Sequence, residues 1–289
     1  MNKILTSLVF VFIFLNSSLS QSHPSSFAEL VESLSPAVVS IASTTIVKNN
    51  NPQNQLPRFP EGSPFDEFFK DYFDNERRNS PSQRPMTGLG SGFIIDNTGI
   101  IVTNNHVIEG ADEITVIMSD QQEFTAELLG RDPKADLAVL KINPGSSKLS
   151  AVKWGNSDSM KVGDWSIAIG NPLGLGGTVT AGIISAISRD IGNGPYVKFL
   201  QTDASINRGN SGGPLFNIDG EVIGINTAII SQTGGSIGLG FAIPSNSAIK
   251  IIQQLKDFGR TKRGWLGVQI QPVSKDFAES LGLENEKGA

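Results

Sequence analysis

Two stretches of the chain carry a clear helical period, and most of what lies between them reads as strand and turn. SFAELVESL (26–34) puts Phe27, Leu30, Val31 and Leu34 on one face behind a Ser26/Glu29 capping-box pattern, and Pro36 ends it. SNSAIKIIQQLKDFG (245–259) puts Ala248, Ile251, Ile252 and Leu255 on one face, with Ser245 as cap and Gly259 as stop. AVVSIASTTIV (37–47) is β-branched and predicts a strand. GFIID and GIIVTN flank the turn Asp96-Asn97-Thr98-Gly99, and EITVIM, EFTAELLG and LAVLKI follow. After the Pro/Gly/Ser-rich connection NPGSSKLS (143–150), the runs DWSIAIGN, GTVTAGIISAISR, VKFLQTDA, PLFNIDGEVIGINTAI and GLGFAIP repeat the style. Two consecutive all-β blocks of similar size predict two barrels side by side, at about 37–142 and 153–244.

Three segments break this pattern. Residues 1–20 have Lys3, the short apolar run ILTSLVFVFIFL and the small residues Ser18-Leu19-Ser20, so a cleavable secretory signal peptide is expected, with an uncleaved anchor as the alternative. Residues 49–90 are rich in Pro and Asn around the aromatic cluster FDEFFKDYF, which reads either as a linker with a sticky patch or as a regulatory loop. The last 27 residues, from Arg263, begin a strand and a helix but cannot bury a core, so the chain is expected to stop inside a second domain.

Composition narrows the function. A net charge of −5 with no Lys/Arg cluster argues against nucleic-acid binding, which needs a basic face. With no cysteine, disulfides, thiolate catalysis and Cys-based metal sites are excluded. The only histidines are His23 and His106, so a His-rich metal site is excluded too, and His106 must supply any imidazole the chemistry needs. No metal or organic cofactor is implied.

The chemistry centres on NRGNSGGPL (207–215), where three glycines and a proline surround Ser211. A serine hydroxyl is a weak nucleophile that needs a base, normally His, oriented by a carboxylate. Gly-x-Ser-x-Gly also marks α/β-hydrolases, but their histidine follows the serine, and none follows Ser211. The order His106, Asp136, Ser211 is that of the chymotrypsin-like double β-barrel, with His106 (in TNNHVIEGA) and Asp136 (in DPKADLAVLKI) in the first block and Ser211 in the second. Asp132 and Asp203 are rival carboxylates, reading as a turn residue and as a brace of the nucleophile loop. The backbone N–H groups of Gly209, Asn210 and Ser211 are candidate oxyanion donors, Gly209 and Ser211 facing inward if Gly209 takes an unusual φ.

TNNHVIEGAD, DPKADLAVLKI and INRGNSGGPLFN together resemble the periplasmic Do-like serine proteases, the Deg/HtrA family, as do GNPLGLGGTVTAGIISA, GEVIGINTAI and GLGFAIP. The resemblance runs from about residue 27 to 289. It implies an all-β, chymotrypsin-like protease domain at 26–258, then the truncated start of a PDZ domain at 264–289 in which RGWLGVQI is the first strand and carboxylate-binding loop. PDZ domains bind peptides by strand addition. It further implies an ATP-independent endopeptidase that degrades unfolded proteins in the periplasm of a Gram-negative bacterium, a homotrimer able to build larger cages, and chaperone-like binding. The 49–90 loop would reach a facing subunit, and 189–194, 205–210 and 230–238 would be activation loops. Ile206, Ile229 and Ile230, with Thr227, would line the primary specificity pocket and suit a small aliphatic residue. Asn210 stands where digestive serine proteases carry an Asp that pairs with a new N-terminus, so loop ordering is the expected switch. Two further functions remain open: a holdase that does not cut, and a narrow regulatory protease of envelope stress.

Overall fold

The computed structural model describes residues 25–45, 86–172, 177–192, 196–207, 209–231, 235–264, 267–268 and 271–283. The expected signal peptide, residues 49–85 of the long loop, and parts of the three activation stretches and of RGWLGVQI lie outside the described residues.

Helix α1 (Ala28–Leu34) leads into strand β1 (Val38–Thr45) through a single 3-10 turn at Ser35–Ala37. The first block continues with β2 (Met86–Asp96), β3 (Ile100–Thr103), the one-turn helix α2 (Asn105–Ile108), β4 (Glu113–Ile117), β5 (Glu123–Thr125), β6 (Glu127–Asp132) and β7 (Leu137–Lys141). The second holds β8 (Lys153–Trp154), β9 (Trp165–Gly170), β10 (Thr178–Arg189), β11 (Phe199–Thr202), β12 (Pro214–Phe216), β13 (Glu221–Ile229) and β14 (Gly240–Pro244). Helix α3 (Ser245–Phe258) follows, and α4 (Lys275–Ser280) lies near the end.

The two blocks do not close in the same way. In the second, β12-β9-β10-β11-β14-β13 closes into a six-stranded barrel through the β12–β13 pairing, and β8 adds to β13 in parallel outside it. The first sheet has the order β5-β4-β1-β2-β3-β7-β6. Its edge strands, β5 and β6, are consecutive in the chain, so the sheet must curl until its edges meet at Ala126. EFTAELLG, read as one strand, therefore divides. The Ala126 N–H is still bonded to Ile114 O at 2.9 Å, and the residues after it pair with β7. No ladder joins β5 to β6 among the described residues, so the expected pair of barrels is one closed barrel beside one curled half-barrel.

Several local expectations change for identifiable reasons. Residues 86–90, read as the end of the long loop, are strand: they pair with β1 from Met86↔Thr45 to Gly90↔Ile41. Ser26 accepts from Ala28 N at 3.1 Å instead of capping three residues on, and Phe27 holds the N-cap position of α1. Ser245 is the first residue of α3, behind Pro244, and not its cap. Its hydroxyl donates to Gly155 O at 2.7 Å and accepts from Ser157 N at 3.2 Å, so a tertiary pair of bonds replaces the local one. Gly259 ends α3 as expected, with φ +69° and its N–H on Leu255 O.

One apolar core spans both blocks. Val38, Phe93, Val102, Leu137 and Val139 of the first sheet pack with Ile167, Ile169, Phe216, Ile225 and Ile243 of the barrel. Ala248, Ile252 and Leu255 of α3 close over this cluster. Phe93 is fully buried at its centre and meets Trp154 edge-on at 5.6 Å. A core shared in this way predicts that the two blocks unfold as one cooperative unit. Phe93→Ala should cost about 3–5 kcal/mol, measured as a lower urea midpoint in a single transition. Separate transitions for the two blocks would contradict the shared core.

Candidate active site

The site grows from the ends of strands at the junction of the two sheets. After β3 the chain turns into α2, whose four residues are all buried although only one turn long. His106 lies in that turn. The chain from β6 to β7 carries the carboxylates. Asp132 Oδ1 accepts from the N–H groups of Lys134 at 3.1 Å and Ala135 at 3.3 Å, an Asx turn that bends the chain toward Asp136. Asp136 then takes φ +54°, a left-handed conformation that Asp tolerates better than most residues.

Both oxygens of Asp136 go to one residue. Oδ1 accepts the His106 backbone N–H at 3.0 Å, and Oδ2 lies 2.7 Å from His106 Nδ1. A carboxylate only accepts, so this contact holds the proton on Nδ1 and leaves Nε2 as the basic nitrogen of the neutral ring. Asn104 braces the pair from behind, donating through Nδ2 to Asp136 O at 2.8 Å and to Thr227 Oγ1 at 3.1 Å. Asp203, the other rival, accepts from Ile183 N at 2.7 Å and so braces β10.

Ser211 arrives from the barrel side of the junction and is 6% exposed. The glycine after it explains how closely it approaches. Gly212 has φ +82°, and a Cβ there would sit 2.2 Å from Ser91 O, 2.3 Å from Thr103 Oγ1 and 3.1 Å from Asn104 N. The nucleophile loop therefore presses directly on the strand end that leads to His106. Ser91 N donates to Ser211 O at 2.9 Å across the same junction. His106 and Asp136 are in direct contact, the Ser211 loop lies against the Thr103–Asn104 strand end that leads to them, and all three side chains are buried.

The candidate oxyanion donors separate. Gly209 has φ +100°, as the spacing required. The Asn210 N–H, however, is spent inside the loop on Asn207 O at 3.1 Å, which removes it as a donor and leaves Gly209 and Ser211. The pocket candidates also divide. Ile206 and Ile229 pack in the inner cluster of the second barrel with Leu200, Leu215 and Ala242. Ile230 is 38% exposed. Thr227 is fully buried and its hydroxyl links Asn104 to Ile225 O at 3.0 Å, so it stands behind the His–Asp pair instead of lining a pocket. A cavity of about 420 Å³ is lined by Ile108, Asp112, Ile114, Leu128 and Arg131, among others, and by no residue of the nucleophile loop.

Three residues around the site were assigned no role from the sequence: Ser91, and Asn104 and Glu109 within TNNHVIEGA. Glu109 follows His106 by one helical turn, and burial pushes its carboxyl above the ordinary range against the opposing pull of Arg131. Nothing in the run GSGFII marks Ser91 apart from any strand serine. Asn104 stands only two residues before His106, a spacing with no motif of its own.

Comparison with known proteins places the chain among serine proteases. A trypsin-like peptidase domain family matches residues 90–225. A probable periplasmic serine endoprotease DegP-like from Brucella suis biovar 1 is 50% identical over 283 residues, covering 91% of this chain and 55% of the relative. The DegP-like protein of Pseudomonas fulva is 46% identical, covering 100% of this chain and 61% of its own length. This chain thus spans little more than half the length of the curated relatives it matches. Among solved structures, the HtrA-type protease AlgW with tripeptide superposes with a TM-score of 0.72 at 41% identity, covering 90% of this chain and 73% of that one. The serine endoprotease from Yersinia pestis gives 0.62 at 38% identity, covering 86% and 72%.

The carboxylate that shapes the Asp136 turn also sets a pH dependence. Burial raises the Asp132 pKa, but hydrogen bonds from Arg263 and from Thr261 (2.6 Å to Oδ2), with the Arg263 charge and the Lys134 N–H, more than offset it and hold the carboxyl below its ordinary value. A carboxyl with a depressed folded pKa stabilises the fold above its unfolded pKa of about 3.9, and that contribution is lost as pH falls through the folded value. Asp132→Asn should therefore lower stability by about 1–3 kcal/mol at pH 7 in urea unfolding. The gap from the parent should narrow as pH drops below about 4. A gap independent of pH would contradict the charged role.

Proposed function

The chain belongs to the DegP/HtrA-type serine proteases, and from that premise we propose that it is an ATP-independent serine endopeptidase that degrades misfolded or unfolded periplasmic proteins. The observation that carries the proposal is the buried His106–Asp136 pair, held through both carboxylate oxygens beside the glycine-bounded Ser211 loop. In this reading His106 Nε2 takes the Ser211 Oγ proton as Oγ attacks the scissile carbonyl. The N–H groups of Gly209 and Ser211 meet the oxyanion without reorganising. Collapse breaks the C–N bond, His106 returns the proton to the leaving amine, and water then hydrolyses the acyl-enzyme by the same route in reverse. Asp136 keeps the ring in the tautomer both steps need.

The cellular setting rests on two supports: the pattern of residues 1–20, and relatives named as periplasmic endoproteases. The apolar character of Ile206, Ile229 and Ile230 supports preference for a small aliphatic residue before the cut, since a desolvated aliphatic wall penalises charge there. A protease domain over 26–258, PDZ-type peptide capture from 264 onward, trimer assembly and chaperone-like binding complete the proposal.

Degradation of casein by residues 21–289 tests it, with Ser211→Ala in parallel. The parent should cleave and should label with a fluorophosphonate at Ser211. Ser211→Ala should lose on the order of 10⁴- to 10⁶-fold in rate. EDTA should leave the rate unchanged. Cleavage that survives Ser211→Ala would remove the serine mechanism, and a parent that neither labels nor cuts would favour a holdase.

A further inference from the structure

Ser91 lies on β2, in the half-barrel, yet its N–H and hydroxyl serve the other side of the junction. The β2–β3 ladder ends at Phe93↔Val102, so from there on the two strands no longer pair with each other. Ser91 is fully buried. Its N–H donates to Ser211 O at 2.9 Å, and its carbonyl accepts from Thr103 Oγ1 at 2.7 Å. Its hydroxyl donates to Gly209 O at 2.5 Å and accepts from Asn171 N at 2.8 Å. One serine thus touches the residue carrying the nucleophile, the glycine before it and the strand end leading to His106.

We propose that Ser91 is a positioning residue that locks the oxyanion hole, an inference that rests on the serine-protease reading of this site. The peptide between Gly209 and Asn210 is gripped at both ends, its oxygen by the Ser91 hydroxyl and its N–H by Asn207 O at 3.1 Å. A peptide is planar, so fixing both ends fixes the plane. That plane constrains ψ of Gly209 and φ of Asn210, the torsions through which it joins the two peptides that carry the flanking N–H groups of Gly209 and Ser211. These are the two donors left once Asn210 is spent. Gly209 gains freedom from its missing Cβ, and it needs that freedom to hold φ +100°. The same freedom would let the peptide turn over, and the Ser91 hydroxyl removes it. The strand supplies from outside the loop what glycine cannot supply from within. Catalysis gains because the donors are already aimed when the oxyanion forms.

A purely space-filling role makes different predictions. Ser91→Ala keeps Cβ, which packs 3.3 Å from where a Cβ on Gly213 would lie, and deletes only the hydroxyl. It should lower kcat on the order of 10- to 100-fold, less than the loss of a direct oxyanion donor, with KM within about twofold. Affinity for a peptide boronate, whose tetrahedral adduct uses the oxyanion hole, should fall by the same factor as kcat/KM. Ser91→Cys retains a weak donor and should fall between parent and alanine variant. It also carries the test if the alanine variant fails to fold. Unchanged kcat, a loss confined to KM, or unchanged boronate affinity would overturn the proposal. A parent that neither cleaves nor labels would instead defeat the serine-protease reading. In that case the lock is read from 15N-glycine-labelled protein: the Gly209 amide resonance should move in Ser91→Ala, and an unmoved resonance would overturn the lock.

Discussion

A seam of buried polar groups between two apolar sheets is the constraint around which this structure is arranged. Ser91, Thr103, Asn104, His106, Asp136, Ser211 and Thr227 all lie out of water in the junction. A buried polar group left without a partner costs on the order of 1–3 kcal/mol, and a buried charge costs more. The seam meets most of that cost in linked pairs: Asp136 with His106, Asn104 Nδ2 with both Asp136 and Thr227, Thr103 with Ser91, and Ser91 with the nucleophile loop. The Asn104–Thr227 and Ser91–Gly209 bonds cross between the two blocks, over 123 and 118 positions, so the complete seam forms only when both blocks have closed. The shared core around Phe93 holds them closed.

The backbone of the site is built from conformations that are costly elsewhere. Asp136 at φ +54°, Gly209 at +100° and Gly212 at +82° stand within one junction. Gly212 cannot carry a side chain without displacing Ser91 O or Thr103 Oγ1. The strained conformation of Asp136 persists only where the surroundings over-determine it. Here the surroundings are the Asx turn at Asp132 and the two-oxygen grip on His106, while the hydroxyl of Ser91 holds Gly209 O. The glycines let the loop take its shape, and the neighbouring strands make that shape the one it keeps.

The segment after α3 reaches back to this machinery. Thr261 and Arg263 both bond to Asp132 Oδ2, while Asp132 Oδ1 shapes the turn carrying Asp136. Arg263 also stacks over Tyr196 with its guanidinium carbon 4.5 Å from the ring centre, beside Lys134. The chain leading away from the protease fold is therefore tied to the loop that presents the candidate catalytic carboxylate.

Much of this was legible in the sequence because it depends on local pattern and on inventory. β-branched and apolar runs between turn residues marked the strands, Gly259 marked the end of α3, and a single histidine outside the polar N-terminal stretch left only one candidate base. The chain order of His106, Asp136 and Ser211, with no histidine after the serine, selected the double-barrel architecture over the α/β-hydrolase. Pairwise facts were not legible. The sequence could not say that EFTAELLG would serve two different partner strands, or that Ser245 would prefer Gly155 to its own helix end. It could not say that Thr227 would face Asn104, or that Asn210 would spend its N–H on Asn207. Ser91 and Gly209 are 118 positions apart, and no local signal makes one serine in a strand differ from the next. Residue types and their order decide which chemistry is available. Which donor meets which acceptor is a property of two distant residues brought together, and only the closure of the two sheets on a common core decides it.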